Sequence, residues 1–254
     1  MARSRGAPGI LSAADLNSTT AAFGVSAHQV RRDHVISHAL AALSRIESDR
    51  LLFFGGTALA RTYLPDLRLS EDIDLIALSP RPVLARDIQD VLISALGRVV
   101  GTPTFVPDIV NTRQAQTSVM LIGDASIQLQ LLPHTGYPRW PTEVRTLEQR
   151  YADAPPAELR VLTAPAFAAA KLAAWHDRHA PRDLYDLWAL ATRGLITDEA
   201  RRLHARFGPT TAAHSVAFAP LPSQTEWNDA LAHQGRVRVT AAEAAATVAD
   251  AWAS

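Results

Sequence analysis

The spacing of apolar and polar residues along the chain predicts strands in the first half and helices in the second. Apolar residues recur at helical spacing over residues 26–48. Leu51–Phe54 is a short, continuous apolar run typical of a buried strand. A second strand is predicted at 72–78, where Ile73 and Leu75 alternate with two acids. The pattern therefore predicts an α/β (α+β) protein with a small mixed sheet and flanking helices.

The same criteria predict further elements on both sides of a segment rich in proline. A helix is expected at 80–98, and short strands at 104–106, 117–122 and 126–132. The prolines and glycines of 133–160 indicate loops and a domain junction. We therefore predict a core domain at 1–150, which includes the N-terminal helices, and a helical domain at 151–254. Helices of the second domain are expected at 165–178, 181–193, 197–207, 225–233 and 240–252.

Composition narrows the class of protein without identifying its chemistry. The chain has 254 residues, 48% of them hydrophobic and 20% charged, as in an ordinary soluble globular protein. It has no cysteine, which excludes disulfides and thiolate chemistry. A formal net charge of zero gives no support for strong non-specific binding to nucleic acid. The N-terminus lacks an apolar core of signal-peptide length, and no run is long enough to cross a bilayer, so we expect a cytoplasmic protein.

The most informative stretch is residues 55–75, GGTALARTYLPDLRLSEDIDL. Because side chains alternate along a strand, Asp72 and Asp74 point to the same face, roughly 6–7 Å apart. Two carboxylates at that separation repel by roughly 2–3 kcal/mol at an effective dielectric constant of about 20. A divalent cation such as Mg²⁺ relieves this repulsion, since it prefers oxygen ligands. The alternative is that both acids lie on a solvated edge and bind nothing.

This arrangement resembles the signature of nucleotidyltransferases, in which Gly-Gly or Gly-Ser precedes a strand with paired aspartates. The segment 68–75, RLSEDIDL, is more narrowly similar to the AbiEii/MenT family of nucleotidyltransferase toxins, which belong to type IV toxin–antitoxin and abortive-infection systems. The resemblance implies a metal-dependent enzyme in which Asp72 and Asp74 hold Mg²⁺ or Mn²⁺. It implies a nucleotide phosphate site formed by Gly55, Gly56, Thr57 and Ser70.

The second domain carries another candidate cluster. Of the 25 basic residues, Lys171 is the only lysine and the other 24 are arginine. Because arginine is so strongly preferred in this chain, a single remaining lysine is a candidate for a role that needs a compact point charge. The alternative is that this lysine remains by chance. The segments 163–171 and 182–187 also resemble the AbiEii/MenT pattern. The resemblance implies that Lys171 binds a phosphate and that Asp186, rather than Asp183, completes the active site.

One strand departs from the pattern of the superfamily. A third carboxylate is common on the neighbouring strand of nucleotidyltransferase sheets, but Gln128 and Gln130 stand in the corresponding segment here. An amide oxygen accepts a hydrogen bond or ligates a metal weakly, and it carries no charge. A symmetric site of three acids is therefore not expected.

The resemblance implies transfer of a nucleoside monophosphate from an NTP to the 3′ end of a tRNA. The NTP would be CTP or another pyrimidine nucleotide. Translation would then be blocked, and an antitoxin would be the cognate partner. Two alternatives stay open: a nucleotidyltransferase that acts on a small molecule or a protein side chain, and a non-catalytic nucleotide-binding protein of the same fold.

Two polar positions have more than one interpretation. Ser70 precedes Asp72 by two residues, so its phosphorylation would add about −1.5 to −2 charges beside the acids, although serine in such a turn often only caps it. His34 and His38 are four residues apart on a predicted helix, a spacing that can bind a metal. No motif for a third ligand accompanies them, so packing or surface histidines are the simpler interpretation.

Overall fold

The helices and strands predicted for the first 133 residues are present in the computed structural model, which describes residues 7–213 and 216–253. Ser26 caps the second helix and accepts a hydrogen bond from the backbone N–H of Gln29. The elements are α1 (Ala13–Phe23), α2 (Ala27–Leu43), β1 (Leu51–Phe54), α3 (Gly55–Ala60), β2 (Asp72–Ala77), α4 (Arg81–Leu96), β3 (Thr104–Val106), β4 (Thr117–Ile122) and β5 (Ala125–Pro133).

The predicted loop segment 133–160 is only partly a loop, and in this respect the prediction was wrong. It contains β6 (Thr142–Thr146) and most of β7 (Glu158–Leu162). The strands were missed because β6 is mostly solvent-accessible and lacks a buried alternating face. The nearby prolines stand before the strands rather than inside them, where they do not interrupt the hydrogen-bonded ladder.

The five helices predicted after residue 160 are confirmed within one or two residues. Proline stands in the first turn of the first two, where its missing N–H costs nothing. They are α5 (Ala164–Arg178), α6 (Pro181–Thr192), α7 (Asp198–Phe207), α8 (Gln224–Leu231) and α9 (Ala241–Ala253).

Across the described part of the chain, the strands form one mixed sheet of seven, in the order β3-β4-β5-β2-β1-β7-β6. β2 lies at its centre, antiparallel to β1 and parallel to β5. Ile73 and Leu75 of β2 are fully buried, as is Leu84 on the helix that follows the strand. Helices α2 and α4 pack against each other and against β5. The predicted fold class, a mixed sheet with flanking helices followed by a helical region, is confirmed.

The chain divides into two compact units. The first consists of Met1–Tyr137 and Glu143–Val161 and contains nearly all of the sheet; residues 1–6 of the predicted core domain lie outside the described residues. The second consists of Pro138–Thr142 and Leu162–Ser254 and contains α5 to α9. Inside the second unit, α5 packs against α6 and α7, and α6 packs against α8 and α9.

Within the described residues, no helix combines the length and the apolar character that crossing a membrane requires.

A buried ion pair connects α2 to the end of α3 inside the first unit. The guanidinium of Arg61 donates to Asp33 at 2.8 Å, and the two side chains are 0% and 1% exposed. The hydroxyl of Tyr151 donates to the other oxygen of Asp33 at 2.8 Å, and Arg150 lies 3.5 Å from that oxygen. Burial lowers the pKa of Arg61 to about 10, and the charge of Asp33 opposes that shift. Asp33 is therefore a central acceptor that attaches residues 150–151 to α2.

We predict that Asp33→Ala lowers the free energy of unfolding by about 3–5 kcal/mol, because it leaves two buried arginines without their carboxylate. Urea unfolding followed by circular dichroism measures the effect. Asp87→Ala is the matched control, since Asp87 pairs with Arg50 at 2.5 Å where the side chains are 40% and 27% exposed. The control should lose about 1 kcal/mol or less. Equal losses in the two variants would contradict the importance of the buried pair.

Candidate active site

The two acids of β2 lie on the face of the strand opposite to the core. Ile73 and Leu75 are 0% exposed, whereas Asp72 and Asp74 are partly exposed. The period of two along the strand thus places both carboxylates on one face, as the sequence predicts. Burial of the two apolar residues determines the direction in which the acids point.

A glycine lies directly against one of these acids. In the antiparallel register of β1 and β2, Phe54 stands opposite Asp74, and Gly55 follows with a φ of 78°. A Cβ atom on Gly55 would lie 2.2 Å from Oδ2 of Asp74, closer than any real contact. The position therefore requires glycine for two reasons, its left-handed backbone and the close carboxylate.

The start of α3 is held against β2. Thr57 donates its hydroxyl hydrogen bond to the backbone carbonyl of Asp72. Phe54, at the N-cap position, gives no side-chain hydrogen bond to the first turn. The backbone N–H groups at Gly55-Gly56-Thr57 therefore begin a helix without a side-chain cap, in contact with the strand that carries the acids.

Two buried polar side chains adjoin Gly56. A Cβ atom there would lie 2.8 Å from a terminal nitrogen of Arg68 and 3.1 Å from the hydroxyl of Ser70. Arg68 and Ser70 are 3% and 6% exposed. Sequence reasoning selected Ser70 for its position before Asp72 but gave Arg68 no role of its own. Only the burial of a guanidinium beside the glycines, which the sequence does not show, singles Arg68 out.

The parallel strand β5 presents amides beside the acids. Its register places Gln128 next to Asp72 and Gln130 next to Asp74. Gln130 donates through Nε2 to the carbonyl of Ala115 at 2.5 Å. Neutral amide side chains thus occupy the positions where a third carboxylate is common in nucleotidyltransferases.

Tyr137 is a further residue that sequence reasoning missed. Burial raises the pKa of its phenol, and the negative charge of Asp74 raises it further. The side chain is 38% exposed. The phenol therefore lies within electrostatic range of Asp74, and no spacing in the sequence connects residue 137 with residue 74.

The donors around Asp72 and Asp74 fit a hard divalent cation. The pair offers carboxylate oxygens, the adjacent strand offers amides, and there is no thiolate. The missing Cβ of Gly55 leaves space beside Oδ2 of Asp74. Mg²⁺ or Mn²⁺ matches this donor set better than a softer metal does.

The second unit contains a separate buried charge cluster. Lys171 of α5 lies 2.9 Å from Oδ1 of Asp183 and 2.7 Å from Oδ2 of Asp186, both on α6. Arg178 donates to Asp183 through Nε at 2.7 Å and through a terminal nitrogen at 3.0 Å. The three-residue spacing places both acids on one side of α6, and Leu184 is fully buried in the core of the unit.

The two acids of this cluster have different environments. The Asp183 side chain is 0% exposed and accepts from both Lys171 and Arg178. Burial alone would raise its pKa, but the charge of Lys171 and the hydrogen bond from Arg178 outweigh burial and lower it to about 2. Asp186 is 2% exposed and contacts Lys171. The structure thus brings the lone lysine together with both aspartates, where the resemblance favoured Asp186.

Comparison with known proteins connects both clusters to one family. The family model described as "Nucleotidyl transferase AbiEii toxin, Type IV TA system" matches residues 38–252. The chain is similar in structure to MenT4, a nucleotidyltransferase toxin from Mycobacterium tuberculosis H37Rv, with a TM-score of 0.72 and 20% identity over 96% of this chain and 89% of that one. A candidate nucleotidyltransferase from H. pylori has a TM-score of 0.48 and 15% identity, over 90% of this chain and 95% of that one.

No curated protein matches the sequence. At 20% identity, the likeness to MenT4 shows the fold alone. The family model carries the assignment, because it spans the acid pair of β2, the glycines before it and the cluster around Lys171. The chain belongs to the AbiEii family of nucleotidyltransferase toxins.

Proposed function

We propose that this protein transfers a nucleoside monophosphate from an NTP to a hydroxyl at the 3′ end of a tRNA and releases pyrophosphate. The observation that carries the proposal is the pair Asp72 and Asp74 on one face of β2, with Gly55 against the second acid. Membership of the family supports the reaction class. The tRNA acceptor, the pyrimidine donor and a cognate antitoxin follow from the family resemblance and are part of the proposal, as is action in the cytoplasm, where these substrates are found.

In this proposal Asp72 and Asp74 hold Mg²⁺ or Mn²⁺. The bound ion supplies positive charge that neutralises the triphosphate and stabilises the charge developing on its oxygens. The N–H groups of Gly55, Gly56 and Thr57 bind phosphate oxygens through the uncapped first turn of α3. The acceptor oxygen forms a bond to the α-phosphorus while the bond from that phosphorus to the bridging oxygen breaks, and pyrophosphate leaves.

The second cluster has two roles in the same proposal. Lys171 binds a phosphate with its compact ammonium group. Asp186, which contacts Lys171 at 2.7 Å, orients that ammonium group, positions the acceptor hydroxyl or takes its proton. Asp183 anchors the cluster, since its side chain is fully buried and already binds both cations. Asp183 is thus a positioning residue and Asp186 the candidate catalytic residue.

The first experiment identifies the acceptor. The purified protein is incubated with each α-³²P-labelled NTP, total RNA, a protein extract and a small-molecule extract, and each fraction is examined separately. The proposal expects label in RNA of tRNA size, strongest with a pyrimidine nucleotide. Label in a small molecule or a protein would keep the transferase and overturn the tRNA acceptor. If no fraction is labelled, the non-catalytic alternative replaces the proposed function.

We predict that Asp72→Ala and Asp74→Ala each reduce transfer by more than about 100-fold, because even groups behind metal ligands cost about 10–100-fold when mutated. Both variants should stay folded, because the two side chains lie on the partly exposed face of β2 and outside the core. Labelling and urea unfolding measure the two effects. Gln128→Ala is the control for the same face of the sheet and should keep most activity. Near-wild-type transfer by either Asp variant would show that the acids do not hold the metal.

Lys171→Arg should lose at least about 10-fold in transfer while the protein stays folded, because the planar guanidinium does not fit a pocket built for a point charge. Lys171 is 9% exposed between two acids, so there is little room for the larger group. The control is Arg202→Lys, at an exposed pair with Glu199. Wild-type activity in Lys171→Arg would mean that the single lysine is an accident of composition.

A third prediction concerns the response to acid. The pKa of Asp183 is lower in the folded protein, about 2, than the usual 3.8. Its ionisation therefore stabilises the folded state above about pH 4, by about 2 kcal/mol. That stability is lost as the pH falls from about 4 to about 2. Asp183→Asn should be less stable than wild type at neutral pH, and the difference should shrink over this range.

Tryptophan fluorescence during urea unfolding measures the effect, because all five tryptophans belong to the second unit. Asp229→Asn, an exposed acid of α8, is the control and should show no such dependence. A difference between Asp183→Asn and wild type that stays constant from pH 5 to pH 2 would contradict the lowered pKa.

A further inference from the structure

A second group of potential metal ligands lies in the first unit, in residues that the proposed reaction does not use. His34 and His38 stand one turn apart on α2, and Asp153 comes from the segment between β6 and β7. One ligand atom from each of the three lies within 4.8 Å of the other two. The three side chains are 5%, 4% and 2% exposed. The third ligand that the helix motif lacks is thus supplied from more than a hundred residues away.

The three atoms converge closely. The Nε2 atoms of His34 and His38 are 3.3 Å apart, and each lies 3.0 Å from Oδ2 of Asp153. A tetrahedral Zn²⁺ with bonds of about 2.0–2.1 Å separates its ligand atoms by about 3.3 Å. The three observed separations are close to that value. A zinc ion therefore fits beside the three atoms with little movement of the side chains.

Hydrogen bonding alone accounts for this arrangement poorly. Oδ2 of Asp153 also accepts the backbone N–H of Gly9 at 2.9 Å, so three nitrogens surround one carboxylate oxygen. The Nε2 atom of His34 also lies 3.1 Å from Oδ1 of Asp153, so the two imidazoles can donate to different oxygens of the carboxylate. Even then, their two N–H groups meet at a nitrogen separation of 3.3 Å. A cation removes the conflict, because each nitrogen then offers a lone pair and Oδ2 keeps the hydrogen bond from Gly9.

Neighbouring groups hold the ligands in place. Tyr151 packs edge-on against the ring of His34 with the ring centroids 5.1 Å apart, and its hydroxyl donates to Asp33. The N–H of Gly9 orients the Asp153 carboxylate. Such contacts behind the ligands are typical of metal centres that are formed before the ion binds.

We propose that His34, His38 and Asp153 form a zinc site that fastens residue 9 and the segment around residue 153 to α2. Two imidazoles and one carboxylate favour Zn²⁺ over Mg²⁺, which prefers oxygen ligands. The three side chains supply three of the four ligands of a tetrahedral site. The site is structural: it crosslinks parts of the first unit that are distant in sequence.

The test is direct metal binding by the full-length protein. Protein freed of metal with a chelator is titrated with Zn²⁺ by calorimetry, in buffer that contains excess Mg²⁺ to occupy oxygen-rich sites. In parallel, Co²⁺ replaces Zn²⁺, because tetrahedral Co²⁺ absorbs visible light much more strongly than octahedral Co²⁺. The proposal expects one Zn²⁺ per chain, a higher melting temperature with Zn²⁺, and the intense tetrahedral Co²⁺ bands.

His34→Gln and His38→Gln should each weaken Zn²⁺ binding by at least about 100-fold, since losing a ligand costs more than losing a group behind one. His28→Gln is the matched control, an exposed histidine on the same helix, and should bind like wild type. Asp72→Asn tests whether the acid pair of β2 binds the ion instead.

Several outcomes would overturn the proposal. The first is that wild-type protein binds no Zn²⁺, and the second is that it gives only octahedral Co²⁺ bands; either would leave a hydrogen-bonded His–Asp cluster. The third is that the variants of His34 and His38 keep full affinity for Zn²⁺. If the variants fail to fold, the wild-type titration and spectrum decide. None of these measurements depends on nucleotide transfer, so the zinc site and the proposed function can fail separately.

Discussion

The register of β2 is the constraint on which the candidate active site depends. Ile73 and Leu75 are fully buried, and the alternation of the strand turns Asp72 and Asp74 to the opposite face. A slip of one residue would place both carboxylates in the core and expose both apolar side chains, which would cost several kcal/mol for each buried charge. The hydrophobic core of the first unit thus holds the two carboxylates on the same face of β2. The same register sets Gln128 and Gln130 beside them.

The two units arrange charge in different ways. In the first, two acids stand on the partly exposed face of a strand, and Gly55 lies directly against Asp74. In the second, Lys171 lies buried between Asp183 and Asp186, and the exposed Arg178 pairs with Asp183 from the surface. The first arrangement suits an incoming cation. The second holds the ammonium group of Lys171 in one position between two carboxylates.

Local pattern was sufficient for most of the fold. The helices of the second unit and strands β1 to β5 were predicted within about two residues, because each has a clear period or a clear stop signal. The edge strand β6 was missed because it has little buried alternation, and the short strand β7, which lies between β1 and β6, was missed because it follows directly after Pro155 and Pro156. For the candidate site, the sequence was enough to predict that Asp72 and Asp74 share one face of a strand and that the glycines lie before it, because these residues are within twenty positions of one another. It was not enough for Arg68, Tyr137 or the approach of Asp153 to His34, since these depend on burial or on contacts between distant segments.

The single lysine has a consequence for the chemistry of the whole protein. Lys171 is the one side-chain amine in the sequence that reagents and enzymes can modify. It is 9% exposed and lies between two carboxylates. Apart from a terminal α-amino group, the rate of amine acylation therefore reports how often α5 and α6 separate enough to release Lys171. The bias towards arginine has in this way left the protein with a built-in reporter of local opening at one of its candidate functional residues.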